Sequence, residues 1–175
     1  TANQSWQLIN GGVEAEGINF TDIDKASVTG TATLTGTEAA ETFVLNNGDD
    51  ADIVVRVNNI DFNKVGTINA GDNAIDNTGV VDSITNNLNG SRFTLVDGTS
   101  AAENNQVTVL RSVDANSHSI TVTAIEEVTA TGTLIGSKDD ETFNVAAIKS
   151  NDGDTIAAIS FKGITDVDGG SGGSG

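Results

Sequence analysis

The stretch Val28–Leu45 reads VTGTATLTGTEAAETFVL, and one hundred residues later Val128–Val145 reads VTATGTLIGSKDDETFNV. Nine of the eighteen aligned positions are identical, including the Glu-Thr-Phe near the end of each stretch. A chain that stacks similar units repeats itself in this way, because each unit provides a surface on which its neighbour is buried. The stretch therefore predicts a chain built from repeated structural units.

A shorter motif recurs four times within this repeat, as in Ile60-Asp-Phe62-Asn-Lys-Val65. The starts of the four copies are 42, 60 and 39 residues apart, so the first and third copies form one class and the second and fourth another. We expect the central and final apolar residues of each copy to face inward. The central residues are Phe20, Phe62, Val122 and Phe161, and the final ones are Ile23, Val65, Ile125 and Ile164.

Strand-forming and turn-forming residues dominate the chain, because Thr, Val and Ile favour strands while Asn, Asp and Gly favour turns. Apolar and polar residues alternate in six segments, which predicts an all-β fold. These segments are Ala32–Leu34, Thr42–Leu45, Ile53–Val57, Arg92–Val96, Gln106–Leu110 and Ser119–Ile125. Between them we predict turns, one of them at Asn86–Ser91, and the longer polar stretch Asn69–Asn89 is predicted to protrude as a loop.

Short strands at this spacing fit two architectures. The repeated motif inside the repeat favours a β-solenoid, similar to a parallel β-helix, and the alternative is two tandem immunoglobulin-like β-sandwich modules. The boundaries follow the repeat: residues 1–17 form an incomplete leading unit, 18–119 the first repeat and 120–168 a second, truncated repeat. Residues 169–175 are a Gly/Ser linker or tag scar.

The charge balance excludes several classes of partner. The chain has 8 Lys and Arg against 25 Asp and Glu, a formal net charge of −17. Such a surface repels nucleic-acid phosphates and anionic lipids. No apolar run is long enough for membrane insertion. Without cysteine there is no disulfide framework and no thiolate site.

The sequence offers no catalytic constellation, and we predict that the protein is not an enzyme. The single histidine, His118, lies in a polar cluster and is interpreted as a solvated loop residue. Triads are assembled in space rather than from one turn. Arg56, Arg92 and Arg111 would have to converge with carboxylates in one groove to form the alternative, a polysaccharide-active enzyme on a β-helix.

Calcium is the one cofactor that the acidic turns favour, because Ca²⁺ takes six to eight oxygen ligands from Asp, Asn and backbone carbonyls on flexible loops. The two richest turns are Asn47–Asp52 and Asn151–Asp154. Neither matches the EF-hand pattern, and the alternative is that both are solvated acidic turns. The predicted ligands are Asp49, Asp50, Asp52, Asp152 and Asp154.

Two runs carry a resemblance to a known class of protein. They are Phe20–Leu45, which contains Leu34-Thr-Gly-Thr-Glu-Ala-Ala-Glu-Thr-Phe43, and Ile159–Gly170, which contains Phe161-Lys-Gly-Ile-Thr-Asp-Val-Asp-Gly-Gly170. Both runs resemble repeats of giant bacterial surface exoproteins, filamentous-haemagglutinin-like or RTX-adhesin-like. Glu41 and Glu141 stand where Asp is commoner in those repeats. The resemblance implies a secreted or cell-surface segment, elongated and β-structured, that serves attachment, matrix (biofilm) or coat formation.

The sequence thus predicts a structural or adhesive segment of a large secreted bacterial surface protein. Its expected partners are a host or neighbouring-cell surface, matrix polysaccharide, or like subunits. The alternatives are a carbohydrate- or calcium-binding module and the β-helical polysaccharide-active enzyme.

Overall fold

A computed structural model describes residues 4–27, 30–48, 52–71, 81–96, 106–113, 116–137, 142–146, 154–156 and 159–170. These residues confirm the prediction of an all-β chain, and among them there is no helix with the length and hydropathy that a membrane span requires. The strands are β1 (Gln4–Ile9), β2 (Gly12–Ala15), β3 (Ile18–Thr21), β4 (Lys25–Ala26), β5 (Ala32–Thr35), β6 (Thr42–Asn47), β7 (Ile53–Val57), β8 (Ile60–Asn63), β9 (Val65–Asn69), β10 (Ser83–Leu95), β11 (Val107–Val113), β12 (Asn116–Thr123), β13 (Glu127–Ile135), β14 (Asp154–Ile156), β15 (Ile159–Lys162) and β16 (Asp166–Asp168).

These strands belong to one mixed sheet. Within the described ranges, eight strand pairs are parallel and seven are antiparallel. The antiparallel pairs join consecutive strands, whereas the parallel pairs join strands that are distant in sequence. Parallel pairing requires a crossover connection. The chain therefore returns repeatedly to run alongside strands that it has already formed.

The antiparallel pairs build three meanders, β1–β2–β3, β6–β7–β8 and β10–β11–β12, and one hairpin, β14–β15. In the turns Glu16-Gly17 and Asn58-Asn59 both central residues have positive φ. Such two-residue turns match the right-handed twist of the strands that they join. The last strand of each meander and of the hairpin is one copy of the short motif. We call these four strands, β3, β8, β12 and β15, the motif strands.

Each motif strand ends at a residue with positive φ, which we call the corner residue. Residues other than glycine adopt this conformation uncommonly. Its occurrence at the fifth position of all four copies therefore shows that the copies share one backbone turn. The corner residues are Asp22 (φ 56°), Lys64 (φ 59°), Ala124 (φ 56°) and Gly163 (φ 75°).

After each corner the chain forms a second strand, which we call the post-corner strand: β4, β9, the first part of β13, and β16. Three motif strands pair in parallel with the post-corner strand of the preceding copy: β8 with β4, β12 with β9, and β15 with β13. Each time, the central motif residue lies opposite the residue four positions after the preceding corner. One pairing rule therefore places each copy on the copy before it. The central pairs are Phe62 with Ala26, Val122 with Ile68, and Phe161 with Val128.

The hundred-residue repeat is visible in the hydrogen bonds as well. β5 pairs in parallel with β9, and β13 pairs in parallel with β16. Beyond the first pair, the Gly36 N–H donates to the carbonyl of Asn69 at 2.7 Å; beyond the second, the Gly136 N–H donates to the carbonyl of Asp168 at 2.8 Å. The two copies of the hundred-residue repeat therefore form the same local structure.

The described residues bury one continuous hydrophobic core. Along β6, β10, β13 and β15, each strand contributes one fully buried side chain that lies opposite the next. Burial of such a side chain is worth about 1.5–3 kcal/mol relative to exposure. This ladder joins the first repeat to the second. Its members are Phe43, Ile84, Val128 and Phe161.

The prediction that the central and final apolar residues of all four motif copies face inward is wrong for Phe20 of the first copy. Phe20 is 36% exposed and Ile18 of the same strand is 58% exposed, whereas the corresponding residues of the other copies are buried. Ile23 is half-buried and packs against the core, as predicted. The physical reason for the exposure of Phe20 is strand pairing. Within the described chain β3 pairs with β2 alone, so the parallel strand that covers the other motif strands is missing from this one.

The prediction of a protruding loop at Asn69–Asn89 is also wrong for the part that the structure describes. Residues 83–89 belong to β10, which pairs in parallel with both β6 and β13, and Ile84 and Leu88 are fully buried. The turn predicted at Asn86–Ser91 is instead an irregularity where the register of β10 against β13 shifts. Residues 72–80 lie outside the described residues.

Candidate functional site

The best-defined polar feature is a column of carboxylates that lies just before the paired strands β6, β10 and β13. Glu41, Asp82 and Glu126 each lie two residues before a member of the Phe43–Ile84–Val128 ladder. Glu41 and Asp82 are buried, and Glu126 is half-buried. Sequence reasoning missed this column, because its members are about forty residues apart and only the pairing of β6, β10 and β13 brings them together.

Two of the three carboxylates, those of Asp82 and Glu126, accept the backbone N–H of the preceding member of the column. The Glu41 N–H donates to Asp82 Oδ1 at 2.7 Å, and the Asp82 N–H donates to Glu126 Oε2 at 2.6 Å. The Glu41 carboxylate also accepts from the Thr37 N–H at 3.0 Å and from the Thr37 hydroxyl. Hydrogen bonds to an ionised acceptor are shorter and stronger than those between neutral groups. The column therefore joins the segments that precede β6, β10 and β13 by short hydrogen bonds.

A second polar site surrounds Asp52, the one predicted calcium ligand whose side chain is described. The Asp52 carbonyl accepts the Gly48 N–H at 2.9 Å and an Arg111 guanidinium N–H at 2.5 Å. Its carboxylate Oδ1 accepts the Ile53 N–H at 3.0 Å and lies 3.3 Å from Nδ1 of His118. Two of its oxygens are thus already engaged with protein donors.

The interpretation of His118 as a loop residue is wrong, although its side chain is 42% exposed to solvent. His118 lies within β12, which pairs with β11, and its imidazole faces Asp52. Two grooves meet at this pair, of about 250 and 630 Å³; Lys64 lines both and Lys25 lines the larger. Basic groups beside Asp52 oppose the binding of a cation at that carboxylate.

The structure brings together few of the other predicted site residues. Asp49, Asp50 and Asp152 lie outside the described residues, and of Asp154 the described part is the backbone, at the start of β14. Within the described ranges, no group of three or more His, Cys, Asp or Glu side chains is placed to hold a metal ion. Calcium binding by the two acidic turns stays a prediction.

The three arginines of the alternative enzymatic hypothesis are distributed over the sheet. Arg56 is exposed on β7 and pairs with Asp61 of the adjacent strand β8 at 2.9 Å. Arg92 is exposed on β10, and Arg111 is buried on β11 beside Asp52. In the strand register Arg92 lies opposite Leu110, one residue from Arg111, so these two side chains point to opposite faces of the sheet.

Comparison of the chain with protein-family models, with curated proteins and with solved structures found no match.

Proposed function

We propose that the chain is a β-solenoid segment with a structural role, in which copies of one unit stack to build an elongated scaffold. The observation that carries this proposal is the pairing rule: three times, a motif strand lies in parallel on the post-corner strand of the preceding copy in one register. Stacked repeat proteins are stabilised by such contacts between neighbouring units.

The alternative architecture, two immunoglobulin-like sandwiches, is built from antiparallel sheets. Parallel pairing between successive copies, and a buried ladder from Phe43 to Phe161 that crosses the repeat boundary, support the solenoid instead. The carboxylate column adds charge-assisted hydrogen bonds between the same units.

As a function, we propose a structural or adhesive segment of a secreted bacterial surface protein, engaged in attachment, matrix or coat formation. The support is the resemblance of the runs 34–43 and 161–170 to exoprotein repeats, together with the net charge of −17. Charge of one sign keeps a long scaffold soluble and prevents its collapse onto itself. Matrix polysaccharide, a cell surface or like subunits are the proposed partners.

The scaffold is tested by joining two and three copies of residues 1–170 in tandem and measuring the maximum dimension by small-angle X-ray scattering. Stacked units predict that each added copy increases the maximum dimension by the same amount, because every copy adds the same number of strand spacings of ~4.8 Å. Independent compact modules joined by flexible linkers would give broad, variable dimensions and would contradict the proposal. Retention of the labelled tandem protein on bacterial cells or their matrix polysaccharide, against a scrambled-sequence control, tests the adhesive role.

A further inference from the structure

The edges of the motif strands differ in one respect. β8, β12 and β15 each have an antiparallel partner on one edge and a parallel partner on the other. In the described chain β3 has its antiparallel partner β2 and no parallel partner. Its apolar side chains Ile18 and Phe20 are exposed on this strand, and the Phe20 ring lies 6.0 Å from the Trp6 ring. Among the described strands, β3 is therefore the motif strand that has a partner on one edge alone.

The complementary edge belongs to β16, the last post-corner strand. β4, β9 and β13 each receive the motif strand of the following copy, whereas β16 pairs with β13 alone among the described strands. Because the carbonyl of Asp168 accepts the Gly136 N–H on the β13 side, the peptide groups of the adjacent Val167 and Gly169 face the other side. The position equivalent to Gly169 is Ala70, which directly follows β9 and whose N–H donates to the carbonyl of Thr123 in β12 at 3.0 Å.

We propose that β3 of one molecule pairs in parallel with β16 of a second molecule, which continues the stack from copy to copy of the chain. The pairing rule sets the register: Phe20 lies opposite Val167, which is four residues after the Gly163 corner. Asn19 then lies opposite Asp166, and Thr21 opposite Asp168. This inference rests on the stacking of units proposed above and extends it from one chain to a non-covalent assembly.

The contact is heterologous, since it joins two different surfaces, and a heterologous contact that does not close on itself produces open filaments. It covers Ile18 and Phe20 and gives partners to the backbone groups of both edges. Carboxylates oppose it: Asp166 and Asp168 lie on one edge, and the whole chain carries −17. Charged residues on exposed strand edges restrain uncontrolled pairing. Assembly should therefore increase with salt, which screens this repulsion.

An ion pair within the chain shows how a carboxylate is neutralised where one motif strand lies on the preceding post-corner strand. Where β15 lies on β13, Lys162 Nζ contacts Glu127 Oε2 at 2.6 Å. Lys162 is the fourth residue of its motif copy, directly after the central Phe161. Glu127 is the third residue after the corner residue Ala124. In the proposed contact, the fourth motif residue is Thr21, and the third residue after the corner residue Gly163 is Asp166. The Thr21→Lys substitution therefore recreates the ion pair between molecules and should strengthen assembly.

The first experiment uses the absence of native cysteine. A Thr21→Cys protein and an Asp168→Cys protein are mixed under mild oxidation. Paired residues in adjacent strands have Cα separations within the range that a disulfide needs. We expect heterodimers in higher yield than from Asn19→Cys mixed with Asp168→Cys, where the cysteines are two positions out of register. Equal yields from both mixtures, or only Thr21→Cys homodimers, would overturn the proposal, the latter by showing symmetric pairing of β3 with β3.

The second experiment measures the weight-average mass by sedimentation over a range of protein and salt concentrations. The wild type should move from the monomer mass of 17.8 kDa towards its multiples as both rise. Phe20→Asp should remove this shift, Thr21→Lys should enhance it, and Val81→Asp, a matched change at an exposed apolar residue away from β3, should leave it unchanged. Circular dichroism checks that each variant is folded.

A monomeric wild type at every concentration and salt level, or equal effects of Phe20→Asp and Val81→Asp, would contradict the inference. The scattering of the covalent tandem proteins is independent of this result. Constant increments in the tandem proteins together with a monomeric single chain would therefore refute the intermolecular contact and leave the solenoid proposal standing.

Discussion

Phe62 and Phe20 hold the same place in two copies of one motif, yet their surroundings differ. Phe62 is fully buried and lies edge-on to Trp6, with ring centroids 6.3 Å apart, whereas Phe20 is 36% exposed. Phe62→Ala leaves a cavity and should lower the free energy of unfolding by about 3–5 kcal/mol. Phe20→Ala should cost about 1 kcal/mol or less, because solvent already reaches this side chain.

Urea denaturation of the two variants, followed by circular dichroism, measures this difference. Both substitutions replace Phe with Ala at the same motif position of a strand, so the change in strand propensity is the same in the two variants. Equal losses for the two substitutions would show that β3 is as well covered in solution as β8, in contradiction to the structure.

The corner residues predict a second difference. Lys64 is exposed and has φ 59°, which costs a residue with a Cβ about 1–2 kcal/mol. Lys64→Gly should therefore raise the free energy of unfolding by about 0.5–1 kcal/mol, after the greater unfolded-state entropy of glycine is subtracted. Gly163→Ala should lower it, because the new Cβ also lies 2.9 Å from the carbonyl oxygen of Ala130.

Thermal and urea denaturation of both variants test this prediction, with Gly30→Ala as the control. Gly30 has a φ outside the left-handed region, and a Cβ there meets no atom within 4 Å. The control should be neutral or slightly stabilising. A loss of stability in Lys64→Gly would show that the lysine side chain, and not the backbone corner, decides this position.

At the scale of strands, the carboxylate column connects elements that are far apart in sequence. Asp82→Ala leaves the Glu41 N–H without its acceptor in a buried position, and an unsatisfied buried donor costs about 1–3 kcal/mol. Asp82→Asn keeps an acceptor oxygen in the same place and should retain more of the stability. The free energies of unfolding of the two variants provide the measurement; equal losses would assign the effect to the charge of Asp82 instead of its hydrogen bond.

The order of the strands explains why the first motif copy and the segment 83–89 were misjudged. Ile18-Asn-Phe20 has the same alternation as the copies that are buried, and the polar run Asn86–Ser91 has the composition of a turn. Burial of a strand depends on the strand beside it, and Ser83–Asn86 of β10 pair with β6 on one edge and with β13 on the other. Local composition does not report such distant neighbours.

At the scale of the whole molecule, the net charge of −17 predicts a response to ions. Sodium screens the repulsion between carboxylates, whereas calcium bound by the folded acidic turns also stabilises by mass action, about 2.7 kcal/mol at one hundred times its dissociation constant. We expect millimolar calcium to raise the melting temperature more than sodium at equal ionic strength.

We expect a smaller rise in melting temperature with calcium, and an unchanged rise with sodium, in two double variants. These are Asp49→Asn/Asp50→Asn and Asp152→Asn/Asp154→Asn. Asp52→Asn should lose least of this calcium-dependent rise, because the carbonyl oxygen of Asp52 already accepts from Arg111 and its Oδ1 already contacts His118 and the Ile53 N–H. Identical melting curves in chelator, sodium and calcium would show that the carboxylates form a solvated acidic coat.

The sequence by itself determined the all-β class, the hundred-residue repeat and the positions of the four motif copies. These properties follow from alternation, turn residues and self-similarity, which are local features of the chain. The common corner at Asp22, Lys64, Ala124 and Gly163 was not visible, since four different residue types adopt it. Only the backbone angles reveal it.

The tertiary structure decided which strands pair and therefore which copies are covered. It placed Glu41, Asp82 and Glu126 in one column, brought His118 to Asp52, and left Ile18 and Phe20 exposed on β3. The physical reason is that parallel pairing joins residues about thirty to fifty positions apart, whose hydrogen bonds and burial exist only after the chain has returned to the same sheet.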